Sequence, residues 1–188
     1  MIADSVWNET LEGFRKRLAG TDPAPAGVTA AAVTATLALG LLIKVLEITR
    51  NRKSFSGDPQ QIEKLARAAA NESTRLAQYA DEDIAAYKEY LASRRSAAAL
   101  RQAIEVPLSA ARAAAAGLEF CAQSAGLVPG ALSPDLDAAR TLLTGALRAM
   151  FFSIEANLQA EADQQFRERV ESEMHHIRSL WSQLGQRL

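Results

Sequence analysis

Residues 23–49 form an apolar segment, and residues 23–43 carry no charged side chain. A helix built from such a segment is apolar on every side, so other elements must enclose it. Two prolines and a glycine precede the segment and favour an extended or turning entry, which predicts that the helix begins near Val28 or Thr29. The segment therefore predicts a buried central helix whose first backbone N–H groups point into the entry loop, where they can hold an anion or a polar ligand atom.

The same segment could also be a transmembrane helix. Its continuous apolar part, residues 28–43, would be about 24 Å long as a helix, which is short of the roughly 30 Å hydrocarbon thickness of a bilayer. Much of it is alanine and threonine, so a soluble core helix is favoured over a transmembrane helix. A signal peptide is not indicated, because the first residues carry Asp4 and Glu9 instead of a basic segment.

The composition limits the possible functions. A chain of 188 residues suits one domain, 1–188. The net charge is −1 and the basic residues are scattered, which argues against a nucleic-acid partner. The one cysteine, Cys121, allows no disulfide within the chain and favours a reducing, cytoplasmic location. No metal-ligand, P-loop or dinucleotide motif occurs, so we expect no metal and no nucleotide cofactor.

The fold class predicted is all-α, a bundle of about five to six helices with a buried central helix, because alanine is abundant and runs of β-branched residues are absent. Pro107 predicts a kink or a restart. Ser133 reads as an N-cap followed by proline. The last helix has an apolar seam that could pack on the bundle or on a second subunit. The predicted helices cover residues 5–18, 28–49, 59–95 and 97–125, a stretch from Ser133 and a stretch from about Asp163.

Polar residues on apolar helix faces are the candidate site residues. Asp83 lies on the apolar stripe of the third helix, four residues from Tyr79 and from Tyr87. A carboxylate on a packed face needs a cation or a hydrogen-bond donor. On periodicity alone, an ion pair or a bonded N–H is favoured over a functional role. Asn157 lies similarly on the fifth helix, where a satisfied core amide is a common arrangement.

Six short segments carry a more specific signal through their order and spacing. Together they resemble the formiminotetrahydrofolate cyclodeaminases and methenyltetrahydrofolate cyclohydrolases, and the likeness extends over nearly the whole chain. The matching residues are Pro23, Pro25, Gly27 and Thr29 before the alanine-rich helix, then Arg52, Lys53 and Phe55, Asp83 with Tyr87, Glu105-Val106-Pro107-Leu108, Pro134-Asp135 and residues 153–158 with Asn157.

The resemblance implies an all-helical homodimer that binds a tetrahydrofolate derivative between subunits and acts on its N5–N10 one-carbon bridge. Its chemistry requires no metal, redox cofactor or protein nucleophile. The scattered charges and the short apolar helix separately predict no nucleic-acid and no membrane partner. Asp83 would be the catalytic carboxylate, and Arg52 and Lys53 would hold the glutamate tail, although a favourable interaction with the helix C-terminus also accounts for these two cations. The remaining residues assigned to substrate binding are Pro25, Gly27, Thr29, Asp135 and Asn157.

The chain departs from the family where three consecutive glycines are usual, since it has Ala26, Gly27 and Val28. A β-branched residue tolerates positive φ and close ligand approach poorly. Two functions therefore stay open. The favoured one is an enzyme, more cyclohydrolase than cyclodeaminase because a stand-alone domain has no formimino supply. The other is a catalytically inactive helical dimer that binds a ligand or serves as a scaffold. An open cleft that Asp83 and the amides of residues 27–29 line together in the dimer would favour the enzyme.

Overall fold

A computed structural model describes residues 5–185, and its regular structure is entirely helical. This confirms the all-α prediction with six helices. Short 3-10 turns, Val6–Asn8 and Gly130–Leu132, precede the first and fifth of them. The helices are α1 Leu11–Leu18, α2 Gly27–Arg50, α3 Pro59–Ala92, α4 Ala97–Ser124, α5 Ser133–Leu158 and α6 Gln164–Gly185.

Helices α2 to α5 form a four-helix bundle, in which each helix packs on the next and α5 packs back on α2. Short connections make successive helices run in opposite directions. The start of α2 therefore shares one end of the bundle with the end of α5, and we call this the entry end. The end of α2 and the start of α5 share the opposite, distal end. Helix α6 packs on α4 through its apolar seam, so that seam is used within the chain; its buried members are Val170, Met174 and Ile177.

Helix α2 is the central helix that the uncharged segment predicts, and eleven of its residues are buried. Close packing around it depends on Gly117 of α4, where an added Cβ would lie 2.9 Å from Leu39 and 3.1 Å from Leu143. Enclosure is incomplete, however, because Leu37 and Ile48 are exposed on one side of α2. The other helices of this chain therefore leave one side of the buried central helix uncovered.

Within residues 5–185, α2 is also the one helix long and apolar enough to cross a membrane. Its 24 residues correspond to about 36 Å. More than half of its apolar window, 56%, is buried inside the bundle. The core helix of a soluble protein can pass the same test of length and composition.

The N-terminal boundary differs from the prediction because of local capping. Instead of one helix over residues 5–18, a 3-10 turn is followed by a break at Glu9, and α1 begins at Leu11. The Thr10 hydroxyl accepts a hydrogen bond from the Gly13 N–H at 3.0 Å, which stabilises a new helix start.

Three later boundaries were also predicted imperfectly. Helix α3 ends at Ala92 because Arg94 and Arg95 adopt left-handed φ angles of 56° and 63°. Helix α4 continues through Pro107 as one helix, so the predicted restart does not occur. Ser133 is the first residue of α5 and not its cap, because the 3-10 turn leads directly into the helix.

Candidate functional site

A pocket of about 220 Å³ opens at the entry end of the bundle. All four bundle helices and the loop before α2 contribute to it. Asp83 and the first two residues of α2 line it together, whereas Thr29 does not. The lining residues are Pro23, Ala24, Ala26, Gly27, Val28, Asp83, Tyr87, Ala103, Ser153, Ala156 and Asn157.

Asp83 is partly buried and is held by the start of α2. Its Oδ2 accepts a hydrogen bond from the Thr29 hydroxyl at 2.7 Å. Burial raises the pKa of Asp83, and hydrogen bonds from the Thr29 hydroxyl and backbone N–H offset part of that rise. Within the described residues Asp83 forms no ion pair with a cation. A carboxyl of this kind can stabilise a cation in the pocket and exchange a proton with it.

The same contact gives Asp83 a structural role. Helix α2 has Ala26 at its N-cap position, where no side chain can accept a hydrogen bond. Asp83 supplies the missing acceptor from α3, next to the positive end of the α2 dipole. Thr29 is fully buried, is not among the lining residues, and donates its hydroxyl to Asp83.

Two positions differ from the family's glycines: Ala26 is the N-cap residue of α2 and has extended backbone, and Val28 is the second residue of the helix. Gly27 is the first residue of α2, and none of the described glycines has positive φ. Val28 follows in the helix with its side chain buried at 5% exposure, and it still leaves the pocket open. The valine therefore causes no backbone strain. Pro25 is buried between the lining residues Ala24 and Ala26 and does not line the pocket itself.

Helix α5 supplies the opposite wall. The Asn157 side-chain amide donates to the Ala103 carbonyl oxygen at 3.0 Å, which joins α5 to α4 at the pocket. Ser153 lies one turn before Asn157, and Tyr87 lies one turn after Asp83; both line the pocket. Sequence analysis did not assign either as a site residue, although the spacing of four residues on a helix places them on the same faces.

The distal end carries three of the predicted site residues. Arg52 and Lys53 follow the end of α2, and Asp135 is in the first turn of α5. The length of α2, about 36 Å, separates them from the Asp83 pocket of the same chain. Arg52 lines a different pocket of about 360 Å³, together with Phe55 and residues 126–129. Within one chain, the structure does not bring these three residues to Asp83.

Comparison with known proteins identifies a family and a solved structure of similar fold. The family model described as formiminotransferase-cyclodeaminase matches residues 10–176. The crystal structure of formiminotetrahydrofolate cyclodeaminase from Thermotoga maritima has a TM-score of 0.93 with this chain, covers 97% of it and 94% of its own chain, and is 21% identical in sequence. No curated protein sequence matches this chain.

Proposed function

Because this chain belongs to the formiminotransferase-cyclodeaminase family, we propose that it is an enzyme acting on the one-carbon bridge between N5 and N10 of a tetrahydrofolate derivative. The reaction would be of the methenyltetrahydrofolate cyclohydrolase or the formiminotetrahydrofolate cyclodeaminase type. The observation that carries the proposal is the partly buried carboxyl of Asp83, which faces an open pocket at the start of α2. The name of the similar Thermotoga protein supports the same substrate class.

Asp83 suits this chemistry because both reactions pass through a cationic amidinium bridge. A carboxylate removed from water is costly unless it meets a cation. Burial raises the pKa of Asp83 for this reason, and a bound cationic bridge would repay that desolvation and favour the ionised form. The ionised carboxyl of Asp83 would therefore stabilise a cationic bridge in the pocket.

Proton transfers would use the same carboxyl. In cyclohydrolysis, water adds to the bridge carbon and Asp83 accepts one of its protons, which gives a neutral hydroxyl adduct. Asp83 then returns that proton to the ring nitrogen that leaves as the C–N bond breaks, and the hydroxyl proton is released to solvent as the formyl C=O bond forms. In cyclodeamination, N10 attacks the formimino carbon, and Asp83 relays the N10 proton to the departing ammonia. Thr29 would orient the carboxyl, while Asn157 and Ser153 offer hydrogen-bonding groups to the heterocycle.

A second candidate is a protein that keeps the fold and binds a ligand without catalysis. The cap that Asp83 provides to α2 favours it, because that structural role accounts for the buried carboxyl without any reaction. We also propose that the chain forms one domain, that it is a homodimer, and that it is cytoplasmic. A free, buried Cys121 supports a reducing compartment.

The test compares the wild type with Asp83→Asn. Turnover is measured by the loss of methenyltetrahydrofolate absorbance and by the release of ammonia from 5-formiminotetrahydrofolate. Binding of 5-formyltetrahydrofolate is measured by calorimetry. Loss of a general acid–base group predicts a roughly 100-fold or greater fall in turnover. Asp81→Asn is the matched control, because Asp81 lies on the same helix outside the pocket and accepts the Val6 N–H at 2.9 Å.

Each outcome selects one candidate. Turnover that Asp83→Asn abolishes and Asp81→Asn preserves would establish the enzyme. Binding without turnover, with an affinity that changes in Asp83→Asn, would establish the ligand-binding candidate. If the folded wild type neither binds nor converts any of these folates, the assignment of the pocket to folate is wrong.

A further inference from the structure

Helices α3 and α4 extend beyond the Asp83 pocket at the entry end, and we call residues 90–99 the α3–α4 hairpin tip. Helix α2 begins and α5 ends at the level of the pocket, because Gly27 and Asn157 both line it. Helix α3, in contrast, continues for about 13 Å after Asp83, and α4 begins about 9 Å before the lining residue Ala103. The hairpin tip therefore stands beside the pocket and rises above the ends of the other two bundle helices.

Two arginines occupy the turn at this tip in a backbone conformation that arginine rarely adopts. Arg94 and Arg95 have φ angles of 56° and 63°. The Arg95 N–H donates to the Tyr90 carbonyl oxygen at 2.8 Å, which caps the end of α3. Glycine or asparagine is the usual residue at such a cap, since a Cβ makes the left-handed conformation costly. Capping therefore explains the conformation of the turn and does not explain why arginine occupies it.

The two guanidinium groups of the turn are available to a ligand. Arg94 and Arg95 are exposed, and within the described part of the chain neither forms an ion pair or a side-chain hydrogen bond. The dipole of α3 favours cations at its end, but α4 begins two residues later with the positive end of its own dipole, which disfavours them. Arg101, the first cation of α4, is by contrast held by Glu161 and Asp163 at 3.2 and 2.8 Å. The hairpin tip therefore carries two positive charges that no described carboxylate pairs.

Aromatic side chains connect the pocket with this turn along one face of α3. Tyr87 and Tyr90 lie four and seven residues after Asp83, which places all three on the same face of the helix. Tyr87 lines the pocket, and its ring centroid is 6.4 Å from that of Tyr90. Arg94 and Arg95 follow about one turn after Tyr90. A carboxyl, two aromatic rings and two cations therefore succeed one another from the pocket to the hairpin tip.

We propose that the α3–α4 hairpin tip binds the anionic tail of the ligand whose one-carbon bridge lies at Asp83. This inference rests on the proposed function. In a tetrahydrofolate, N10 carries an aminobenzoyl ring and then a glutamate with free carboxylates, and further γ-linked glutamates lengthen the tail. The Tyr87 ring would pack against the aminobenzoyl ring, and Arg94 and Arg95 would pair with the tail carboxylates.

The position of the hairpin tip gives it a preference among folates. Helix α3 ends about 13 Å beyond Asp83, so a tail of several glutamates reaches the two arginines better than a tail of one. Each added glutamate also brings a further negative charge to the positive turn. The hairpin tip therefore selects folates with several glutamates, while Asp83 acts on the bridge that all of them share.

The test measures affinity as a function of tail length. Calorimetry compares 5-formyltetrahydrofolate carrying one glutamate with the same folate carrying three, in the wild type and in Arg94→Asn combined with Arg95→Asn. Asparagine removes the charge and tolerates left-handed φ. Two exposed charge pairs predict that the wild type binds the triglutamate about 5- to 10-fold more tightly and that added salt weakens this preference. The asparagine variant should bind both folates equally.

Two control variants separate charge from other effects. Arg94→Lys combined with Arg95→Lys keeps both charges and should retain most of the preference for the triglutamate. Lys64→Gln combined with Arg67→Gln removes two positive charges from exposed positions in the first half of α3, away from the hairpin tip. This variant should retain the whole preference, because the net charge of the protein changes equally while the turn stays intact.

The outcomes separate this inference from the proposed function. A wild type that binds both folates equally, or an asparagine variant that keeps the preference, would overturn the inference and leave the function intact. An equal loss of affinity for both folates would also overturn it, because the turn would then only support the pocket. Loss of the preference in Arg52→Asn combined with Lys53→Asn instead would assign the tail to the basic turn after α2. If the folded wild type binds neither folate, the assignment of the pocket to folate is wrong and this inference fails with it.

Discussion

Replacing Thr29 by valine tests the hydrogen bond that positions the candidate carboxyl. Valine has nearly the shape of threonine and Thr29 is fully buried, so the substitution removes the hydroxyl with little change in packing. The lost bond is 2.7 Å long and its acceptor is charged when Asp83 is ionised. Bonds of this type contribute about 1.5–3 kcal/mol. We expect the free energy of unfolding to fall by that amount at pH 8.

The pH dependence follows from the direction of the pKa shift. Burial raises the pKa of Asp83 and the Thr29 hydroxyl opposes the rise, so Thr29→Val raises the pKa further. Between the ordinary aspartate pKa and the raised pKa of folded Asp83, the folded protein keeps a proton on this carboxyl that the unfolded protein has lost. The free energy of unfolding therefore falls as the pH rises through this range. The variant should therefore lose less stability at pH 5 than at pH 8.

The assay is urea unfolding followed by circular dichroism at both pH values and at one protein concentration. Thr29→Ser is the matched control, because serine keeps the hydroxyl and loses one methyl group, which costs about 1 kcal/mol at either pH. A loss in Thr29→Val that is equal at pH 5 and pH 8 would show that the hydroxyl does not stabilise ionised Asp83, and the positioning argument would fail.

Three further predictions concern the core and the connection between α5 and α6. Gly117→Ala should lower the free energy of unfolding by about 1–3 kcal/mol, because the new methyl group would lie 2.9 Å from Leu39 and 3.1 Å from Leu143. Gly126→Ala, where an added Cβ meets no atom within 4 Å, should change it little in the same urea titration. Burial raises the pKa of Cys121 to about 12, so iodoacetamide at pH 8 should label it only after unfolding; rapid labelling of native protein would contradict its buried position. Glu161→Gln should cost about 1–3 kcal/mol at pH 7 by weakening charged hydrogen bonds. These bonds lower the pKa of Glu161, so the destabilisation caused by Glu161→Gln should decrease as the pH falls below the ordinary glutamate pKa. A destabilisation that persists at such a pH would contradict this prediction.

The central helix and the position of Asp83 on an inner face were predictable from sequence. Absence of charge over residues 23–43 requires burial, and periodicity places Asp83 on the packed side of α3. The donor could not be predicted, because Thr29 lies 54 residues away and periodicity identifies a face without its tertiary partner. The break before α1 was not predicted. It forms because Thr10 stabilises the helix more as an N-cap, where its hydroxyl accepts a backbone hydrogen bond, than as a residue within the helix.

The distal position of the basic turn could have been predicted. In a bundle of alternating helices, a turn that follows α2 and a residue that begins α5 must share one end, opposite to the loop that precedes α2. The order and spacing of the segments along the chain do not by themselves show that the basic turn and Asp83 lie at opposite ends. The exposed side of α2 could not be predicted, because an apolar residue indicates avoidance of water without indicating whether its own chain or another molecule covers it.

The bond between Thr29 and Asp83 also links the pocket to the stability of the whole bundle. The pocket needs α2 and α3 to be docked, so the unfolded chain has no such site, and any ligand of the pocket must stabilise the folded state. A ligand present at 100 times its Kd would add about 2.7 kcal/mol. The melting temperature of the bundle therefore serves as a binding signal, and a library of folates and other small anions can be screened before any reaction has been observed.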